Sequence, residues 1–416
     1  MTDNKNKNIK IKVEGLTLIF GKRKKDALAM LKKGATKEEI LKETDCTIGV
    51  NNANFEVYEG EVFVVMGLSG SGKSTLLRCL NRLIEPTAGK VFFKDHDITR
   101  ANHAELLKTR RNEMSMVFQS FGLLPHRTVL DNATFGLELR GDSKETREKV
   151  GMRVLETVGL KGYELQYPGQ MSGGMQQRIG LARALANDTD VLLMDEAFSA
   201  LDPLIKSDMQ DELLQIQGEL HKTIVFITHD LDEAIKIGDR IAIMKDGVIE
   251  QIGTAEEILA NPASEYIEAF TEKIDRKTVI TAETLMFRKP TIVRFKKDGP
   301  KGAIRKMRST GVYLLPVEDD KRKFLGYVHL KDMIKLAREG ERTIEKALRV
   351  DVPSVHREYT VEEMIPLISE NSYPVAVVDR KNGRLHGLVS QTSVVIEATN
   401  YSDEEVSDLI EKANDI

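Results

Sequence analysis

The sequence has 416 residues, of which 41% are hydrophobic and 30% charged, and its formal net charge is −4. This length corresponds to roughly two to four domains, and the acidic balance argues against a dedicated nucleic-acid-binding protein. No apolar run approaches the roughly 18 residues of a membrane-spanning helix. Two cysteines are too few for a disulfide framework, so a cytosolic, multidomain protein is favoured over a pore or a secreted factor.

The N-terminal region differs in charge from the rest of the chain. Residues 1–37 contain eleven basic and three acidic side chains, a charge of +8, so the other 379 residues carry −12. Residues 9–20 alternate between apolar and polar side chains and predict a strand. Residues 22–45 predict two short helices separated by a turn at Gly34, the second opened by a capping box of Thr36 and Glu39.

Strand and helix patterns then alternate from about residue 50 to 255. Short apolar runs at 62–66, 191–194, 223–228 and 241–244 are typical of buried parallel strands. Such alternation over some 200 residues predicts an α/β fold with a central sheet.

A phosphate loop follows the first of these strands. The segment GLSGSGKST (67–75) matches G-x-x-x-x-G-K-[ST] and lies between a strand and a helix, which is the context that the motif requires. Glycines allow backbone N–H groups to converge on phosphate oxygens, and the helix N-terminus adds its positive end. The predicted ATP-binding residues of this loop are Gly67, Ser69, Gly70, Ser71, Gly72, Lys73, Ser74 and Thr75. Lys73 would reach the β- and γ-phosphates, and the Ser74 hydroxyl would bind Mg²⁺.

Two further motifs point to the same chemistry. The strand at 191–194 ends in Asp195, a candidate Mg²⁺ ligand, and Glu196, a candidate general base for the attacking water. By itself, such an acidic pair could equally face solvent. Ser172, Gly173 and Gly174 open another helix and form a second anion site. Two phosphate-binding helix starts in one chain are consistent with a nucleotide shared between two chains.

The order of these motifs, with FQ at 118–119, SALD at 199–202 and THD at 228–230, resembles the ATPase subunit of ABC transporters over about residues 9–270. The resemblance implies an ABC-type P-loop NTPase domain at 1–270, with a helical subdomain at about 120–185. It implies catalytic roles for Glu196, His229, Lys73 and Gln119, and Mg²⁺ contacts for Ser74, Gln119 and Asp195. It also implies ATP contacts from Phe20, Ser172, Gly173, Gly174 and Asp202, the last four across a homodimer.

A finer resemblance concerns the transported substrate. The segments 66–89, 116–132, 192–205 and 227–244, and the insert 22–45, are similar to the ATPase subunit of glycine betaine/proline betaine importers. That family works beneath two permease subunits, with a separate or fused substrate-binding protein, at the cytoplasmic face of the membrane. Choline or another small quaternary amine is the alternative substrate. A non-transport ABC ATPase is the remote alternative, since long coiled-coil inserts and a second cassette are not seen.

Residues 279–401 contain an internal repeat that resembles a tandem CBS pair, with units at 279–340 and 344–401. The family pattern G-x-x-[ST]-x-x-D maps onto Gly326, His329 and Asp332 in the first unit and onto Gly387, Ser390 and Ser393 in the second. Each copy departs from the pattern. A structural dimerisation module and a sensor of an adenine nucleotide or cyclic dinucleotide therefore both stay open. An acidic helix or tail is predicted at 402–416, with Ser402 and Glu405 as a capping box.

Two basic segments have competing interpretations. The stretch 294–308 is a solvated face or a phosphate-binding surface. In the insert, the alternatives are a solvated helix pair and contact with an anionic lipid surface; a DNA-binding motif is disfavoured by the short helices and the acidic chain. Each basic residue near such a surface contributes about 1 kcal/mol, an attraction that salt screens. The candidate membrane contacts are Lys22, Arg23, Lys24, Lys25, Lys32 and Lys33.

Overall fold

The computed structural model describes residues 8–119, 122–199, 201–272, 274–371 and 373–399, apart from the side chains of residues 204, 370 and 399. The chain divides after Glu272 into two compact units. The predicted C-terminal segment 402–416, with Ser402 and Glu405, lies outside the described residues. Within them, no helix combines the length and the apolar character needed to cross a membrane.

Unit 1 is a mixed α/β structure. Its strands are β1 Ile9–Phe20, β2 Thr47–Tyr58, β3 Val62–Met66, β4 Ala88–Phe93, β5 His96–Asp97, β6 Met114–Val117, β7 Val191–Asp195, β8 Thr223–Thr228, β9 Arg240–Lys245 and β10 Val248–Gly253. Its α-helices are α1 Lys24–Lys32, α2 Lys37–Thr44, α3 Lys73–Leu80, α4 His103–Asn112, α5 Val129–Ala133, α6 Phe135–Arg140, α7 Lys144–Thr157, α8 Gly173–Ala186, α9 Pro203–Leu220, α10 Leu231–Ile237, α11 Ala255–Ala260 and α12 Glu265–Thr271. A 3₁₀ turn covers Pro168–Gln170.

The central sheet has the strand order β10-β9-β3-β8-β7-β6 and is parallel except for β10. Every residue of β3, β7 and β8 is buried, as expected for parallel strands covered on both faces. The predicted α/β fold is confirmed. Because parallel strands end at the same sheet edge, the segments after Met66, Asp195 and Thr228 are neighbours.

A second sheet, antiparallel, has the order β2-β1-β4-β5. Of its strands, only β1 was predicted. The insert connects β1 to β2 as two short helices, with the predicted Thr36–Glu39 capping box in place. It is anchored where Phe20 pairs with Thr47, and it has its own small core of Ile19, Ala27, Ile40, Cys46 and Ile48. The insert therefore begins directly after the aromatic side chain assigned to adenine.

Unit 2 contains two similar halves. The first contains a 3₁₀ turn Arg276–Thr278, α13 Ala282–Leu285, β11 Val293–Arg294, α14 Pro300–Thr310, β12 Leu314–Glu318, β13 Phe324–His329 and α15 Leu330–Arg338. The second contains a 3₁₀ turn Glu345–Ala347, β14 Ser354–Val355, α16 Val361–Glu370, β15 Val375–Val378, β16 Leu385–Val389 and α17 Gln391–Thr399. Each half builds one three-stranded sheet with the same arrangement of one parallel and one antiparallel pair. The predicted internal repeat is confirmed.

The two halves exchange backbone contacts through their key glycines. Gly326 has φ +141°, and a Cβ there would lie 2.0 Å from the carbonyl oxygen of Arg349. At Gly387, a Cβ would lie 2.7 Å from the carbonyl oxygen of Phe287. The neighbouring residues pair accordingly, since Tyr327 bridges to Arg349 and Leu388 bridges to Phe287. Both glycines are thus required for close backbone approach between a strand of one half and the segment that precedes the strands of the other.

Candidate nucleotide-binding site

The phosphate loop connects β3 to α3 and is packed tightly against neighbouring backbone. A Cβ at Gly67 would lie 2.1 Å from the carbonyl oxygen of Met244, and one at Gly72 would lie 2.2 Å from that of Gly49. The φ angles of these two glycines, +149° and +101°, also disfavour any other residue. The loop can therefore follow this path only with glycine at both positions.

Lys73 lies inside the loop that precedes it. Its side chain is 4% exposed, and its Nζ donates to the carbonyl oxygens of Gly67 at 2.8 Å and Leu68 at 3.0 Å. Burial lowers the pKa of Lys73, while the carboxylate of Glu196, 3.7 Å from Nζ, acts in the opposite direction. A buried cation thus lies under the loop, where phosphate oxygens would be its natural partners.

Asp195 is the last residue of β7, and its side chain is only 1% exposed. Its Oδ2 accepts a hydrogen bond of 3.1 Å from Nη2 of Arg78 on α3. Its Oδ1 is buried and has no hydrogen-bond partner in the described part of the chain. A buried carboxylate oxygen without a donor is costly unless another ligand, such as a cation, uses it.

Glu196, the next residue, is the centre of the site. Its φ of +45° is unusual for a non-glycine residue. Its Oε2 accepts a hydrogen bond of 3.1 Å from Nε2 of Gln119 and lies 3.6 Å from Nδ1 of His229. With Lys73 near Oε1, the structure brings all four predicted catalytic residues together around one carboxylate.

Phe20 borders the loop on another side. Phe20 is 42% exposed at the end of β1. A Cβ built on Gly49 would meet Cε2 of Phe20 at 2.8 Å and Cγ2 of Thr75 at 3.1 Å. Phe20 and Thr75, near the start of α3, therefore both lie beside Gly49.

The other predicted nucleotide contacts form a separate group. Ser172 caps α8 by accepting from the backbone N–H of Met175 at 3.3 Å, and Asp202 caps α9 by accepting from that of Ile205 at 3.1 Å. A Cβ on Gly174 would lie 2.7 Å from the Ile205 side chain, so the two helix starts are adjacent. No hydrogen bond or ion pair among the described residues joins this group to the phosphate loop.

Gln176 is a supporting residue that the sequence did not reveal. Its Nε2 donates to the carbonyl oxygens of Pro168 and Met171, both at 3.1 Å, and so holds the segment that leads into Ser172. Met171 is 6% exposed, and Met175 packs partly buried against the core. Apolar side chains at these two positions therefore anchor the helix start, while a neighbouring glutamine supplies the polar support.

A polar cluster connects α9 to the segment around His229. The Glu233 side chain is 4% exposed and accepts hydrogen bonds from the Thr228 hydroxyl and, at 3.1 Å, from Nε2 of Gln210. Lys206 lies 2.5 Å from Oδ2 of Asp230 and 3.6 Å from Oε1 of Glu233. The helix that Asp202 opens is thereby connected to the residues on both sides of His229.

The residues match the requirements of ATP and Mg²⁺. The loop is a cradle that Cβ atoms would fill, Lys73 is a buried cation, and the Ser71 hydroxyl and Asp195 Oδ1 are buried without partners in the described structure. Mg²⁺ is held by one or two carboxylate or hydroxyl oxygens together with substrate phosphates. Asp195 and Ser74 would hold the cation.

In unit 2, the candidate ligand residues contact other protein groups. Asp332 accepts from Nη2 of Arg349 at 3.1 Å, and His329 Nδ1 accepts from the backbone N–H of Lys331 at 3.1 Å. The Ser390 hydroxyl accepts from the backbone N–H of Ser393 at 3.0 Å. In the structure, these side chains pair or cap within the unit.

The six basic side chains predicted to contact the membrane are all exposed. They are Lys22, Arg23, Lys24, Lys25, Lys32 and Lys33. Arg23 pairs with Asp26 at 2.9 Å; the other five form no ion pair with any described residue. In the stretch 294–308, Lys306 pairs with Asp298 at 2.6 Å, whereas Lys296, Lys297, Lys301 and Arg305 are exposed.

Both units are similar to known proteins. Residues 50–199 match a family model described as ABC transporter, and residues 282–339 and 344–398 match one described as CBS domain. A glycine betaine/carnitine transport ATP-binding protein of Listeria monocytogenes is 54% identical over 386 residues, 93% of this chain and 96% of the relative. A glycine betaine transport ATP-binding protein of Bacillus subtilis is 52% identical over 389 residues, 94% of this chain and 92% of the relative. A dimeric ATP-binding cassette in a post-hydrolysis state with ADP and Pi matches with a TM-score of 0.50 and 32% identity, over 59% of this chain and 98% of that one.

Proposed function

Since the chain belongs to the family of glycine betaine transport ATP-binding proteins, the ATPase subunits of ABC transporters, we propose that it hydrolyses ATP to drive import of glycine betaine or a related quaternary-amine osmoprotectant. Membership of the family implies that the chain uses ATP and Mg²⁺. The observation that carries the proposal is the convergence of Lys73, Gln119 and His229 on the carboxylate of Glu196, beside the phosphate loop.

The proposed chemistry is an in-line displacement at the γ-phosphorus. Loop N–H groups and Lys73 bind the β- and γ-phosphates, and Phe20 stacks on adenine. Glu196 accepts a proton from water as the water oxygen bonds to phosphorus and the bond to the β–γ bridging oxygen breaks. Gln119 donates to the Glu196 carboxylate and orients it, and His229, 3.6 Å from the same oxygen, would contact the γ-phosphate. Ser74, Asp195 and Gln119 would hold Mg²⁺, which would neutralise charge on the phosphate oxygens.

Two chains are proposed to share each nucleotide. Ser172, Gly173, Gly174 and Asp202 form a group of helix starts that is separate from the phosphate loop of the same chain, which supports a role toward the loop of a second copy. The dimeric ATP-binding cassette that this chain resembles supports the formation of a dimer. ATP would then hold the homodimer closed, and hydrolysis would release it.

The transport partners are proposed to be two permease subunits in the cell membrane, with a substrate-binding protein that is separate from or fused to the permease. Gln119 would report nucleotide state to the permease. The insert would contact anionic lipid, and the unit 2 pair would bind an adenine nucleotide or cyclic dinucleotide. The exposed lysines of the insert that form no ion pair with a described residue support the lipid contact. The tandem CBS match motivates the nucleotide binding by unit 2.

The central test is osmolyte-stimulated hydrolysis. The chain is reconstituted with its permease and binding protein in liposomes, and ATPase activity is followed against glycine betaine, proline betaine and choline. We expect stimulation by glycine betaine and a loss of at least about 100-fold in Glu196→Gln, with ATP binding retained. Glu145→Gln, an exposed change on α7, is the control. Stimulation by choline alone would favour the alternative substrate, and no osmolyte response would refute the importer assignment.

Regulation is tested in the same liposomes. Neutralising Lys22, Arg23, Lys24 and Lys25 should lower the salt concentration needed for activation, because fewer charges bind the anionic surface. Neutralising four exposed basic residues of unit 1, Lys108, Arg111, Lys149 and Arg153, is the matched control. An unchanged salt requirement in the first variant would refute membrane sensing by the insert. Calorimetric titration with AMP and cyclic dinucleotides separates a sensor from a structural pair in unit 2, whereas ATP would also bind the phosphate loop of unit 1.

A further inference from the structure

Arg78 lies outside the assigned motifs but points into the site. It belongs to α3, the helix that the phosphate loop opens, and lies four residues after Ser74. Residues four apart share one helix face, so the side of α3 that presents the Ser74 hydroxyl also presents the Arg78 guanidinium. That guanidinium reaches the end of β7, across 117 positions of sequence, to contact Asp195.

The contact uses only one of the two carboxylate oxygens. Nη2 of Arg78 donates to Oδ2 of Asp195 at 3.1 Å, whereas Oδ1 is buried and has no partner among the described residues. The Asp195 side chain is 1% exposed, so water does little to orient it or to balance its charge. Arg78 is 44% exposed and therefore remains solvated on its other side.

We infer that Arg78 is a positioning residue for the Mg²⁺ site, which holds Oδ2 of Asp195 so that Oδ1 stays free for the cation. The inference rests on the proposed binding of ATP with Mg²⁺. It assigns Arg78 a second effect: the guanidinium balances the buried Asp195 charge whenever the cation leaves with the nucleotide. Groups that orient a metal ligand in this way affect metal affinity by roughly 10–100-fold.

The consequence is specific to the cation. Without Arg78, the carboxylate loses the one hydrogen bond that the described residues give it, so its orientation toward the cation rests on packing alone. The phosphate loop and Lys73 do not depend on this contact, because Lys73 is held by the carbonyl oxygens of Gly67 and Leu68. Binding of nucleotide in the absence of Mg²⁺ should therefore be insensitive to Arg78.

The test compares nucleotide binding with and without the cation in the full chain. A fluorescent, non-hydrolysable ATP analogue is titrated in EDTA and at increasing Mg²⁺, and bound Mn²⁺ is counted by electron paramagnetic resonance. For Arg78→Gln, we expect the half-saturating Mg²⁺ concentration to rise about tenfold, with analogue affinity in EDTA unchanged. Arg78→Lys, which keeps the charge, should recover part of the shift. Arg111→Gln removes an exposed charge from α4 and should behave as wild type.

Two results would overturn the inference. One is the same half-saturating Mg²⁺ concentration for analogue binding in wild type and Arg78→Gln. The other is a loss of analogue affinity in Arg78→Gln that is as large in EDTA as in Mg²⁺, which would indicate a structural role in α3. Wild-type binding that does not respond to Mg²⁺ would instead refute the proposed metal site itself. Circular dichroism of each variant identifies misfolding, and Arg78→Lys carries the test if Arg78→Gln misfolds.

Discussion

Gly72 shows how strictly single residues are constrained at the loop. A Cβ at this position would lie 2.2 Å from a backbone carbonyl oxygen of β2, and the φ angle is +101°. Neither strain can be relieved by a side-chain rotation, because the obstructing atom belongs to the backbone. The glycine therefore fixes the distance between the loop and the antiparallel sheet.

Gly72→Ala should weaken binding of an ATP analogue by at least about tenfold, because the loop must move away from Gly49 to admit the methyl group. The measurement is a fluorescence titration, with Gly218→Ala as the matched control. Gly218 lies in α9 with open space around its Cβ position, so alanine there should be neutral or slightly stabilising. Wild-type affinity in Gly72→Ala would contradict the packing argument.

His386 is a residue-scale source of pH dependence in unit 2. Burial lowers its pKa below the ordinary value of 6.5, and the Arg357 charge lowers it further, while Asp379 at 3.7 Å opposes both. The unfolded chain therefore binds more protons between the folded-state pKa and about 6.5. In that window, the free energy of unfolding decreases as the pH falls, and below the folded-state pKa the loss is complete.

We expect unit 2 to unfold at a lower temperature at pH 5.5 than at pH 7.5, and His386→Gln to reduce this difference. Thermal scans at several pH values measure it. His103→Gln, which changes an exposed histidine of α4 in unit 1, is the control. If the unfolding temperature of unit 2 changes equally with pH in wild type and His386→Gln, this histidine is not the cause of the pH dependence.

At the scale of elements, α9 and α10 are joined by buried charge. Lys206 lies between the carboxylates of Asp230 and Glu233, and the Glu233 side chain is only 4% exposed. Removing the cation leaves a buried carboxylate without a counter-charge, which is more costly than losing an exposed pair. The connection matters because Asp202 caps the start of α9, and Asp230, the residue after His229, caps the start of α10.

Lys206→Met should therefore destabilise unit 1 by about 2 kcal/mol, and adding Glu233→Gln should recover part of the loss. Urea unfolding gives both values. Lys161→Met removes an exposed partner of Glu156, with side chains 70% and 61% exposed, and should change stability by less than about 0.5 kcal/mol. If Lys206→Met and Lys161→Met change the free energy of unfolding equally, Lys206 does not stabilise the buried Glu233 carboxylate.

Elements also show how far sequence reasoning reaches. The parallel strands β3, β7, β8 and β9 were predictable because each contains a continuous apolar run, whereas β6 is short, contains Ser115 and was missed. The shared edge of the parallel strands explains why Lys73, Glu196 and His229 meet. β2 was missed because Gly49 and the asparagines at 51, 52 and 54 interrupt its apolar pattern. β2 forms a strand because it pairs with β1, a contact that its own residues do not reveal. This pairing contains register shifts. Arg78 was missed for a related reason, since its contact with Asp195 depends on sheet order.

At the scale of the whole molecule, each unit has buried hydrophobic clusters of its own. A ligand that binds a folded unit stabilises that unit, by about 2.7 kcal/mol at a hundredfold excess over its Kd. Mg²⁺ with a non-hydrolysable ATP analogue should therefore raise the temperature at which unit 1 unfolds in a calorimetric scan. Gly326→Ala should lower the temperature at which unit 2 unfolds, because its methyl group meets the Arg349 carbonyl. An unchanged scan with the analogue would contradict nucleotide binding by unit 1, and an unchanged scan of Gly326→Ala would contradict the close backbone approach at Gly326.

The exchanged backbone contacts of unit 2 limit how such a module can be shortened or duplicated. Phe287, which precedes the first set of strands, pairs with the last strand of the second, and Arg349 pairs in the reverse direction. Deleting either repeat would therefore remove one half and also expose an unpaired edge on the half that remains. A truncation or domain graft that cuts at residues 340–344 separates two halves that pair with each other. We therefore expect the two copies to be inherited, lost or transplanted together.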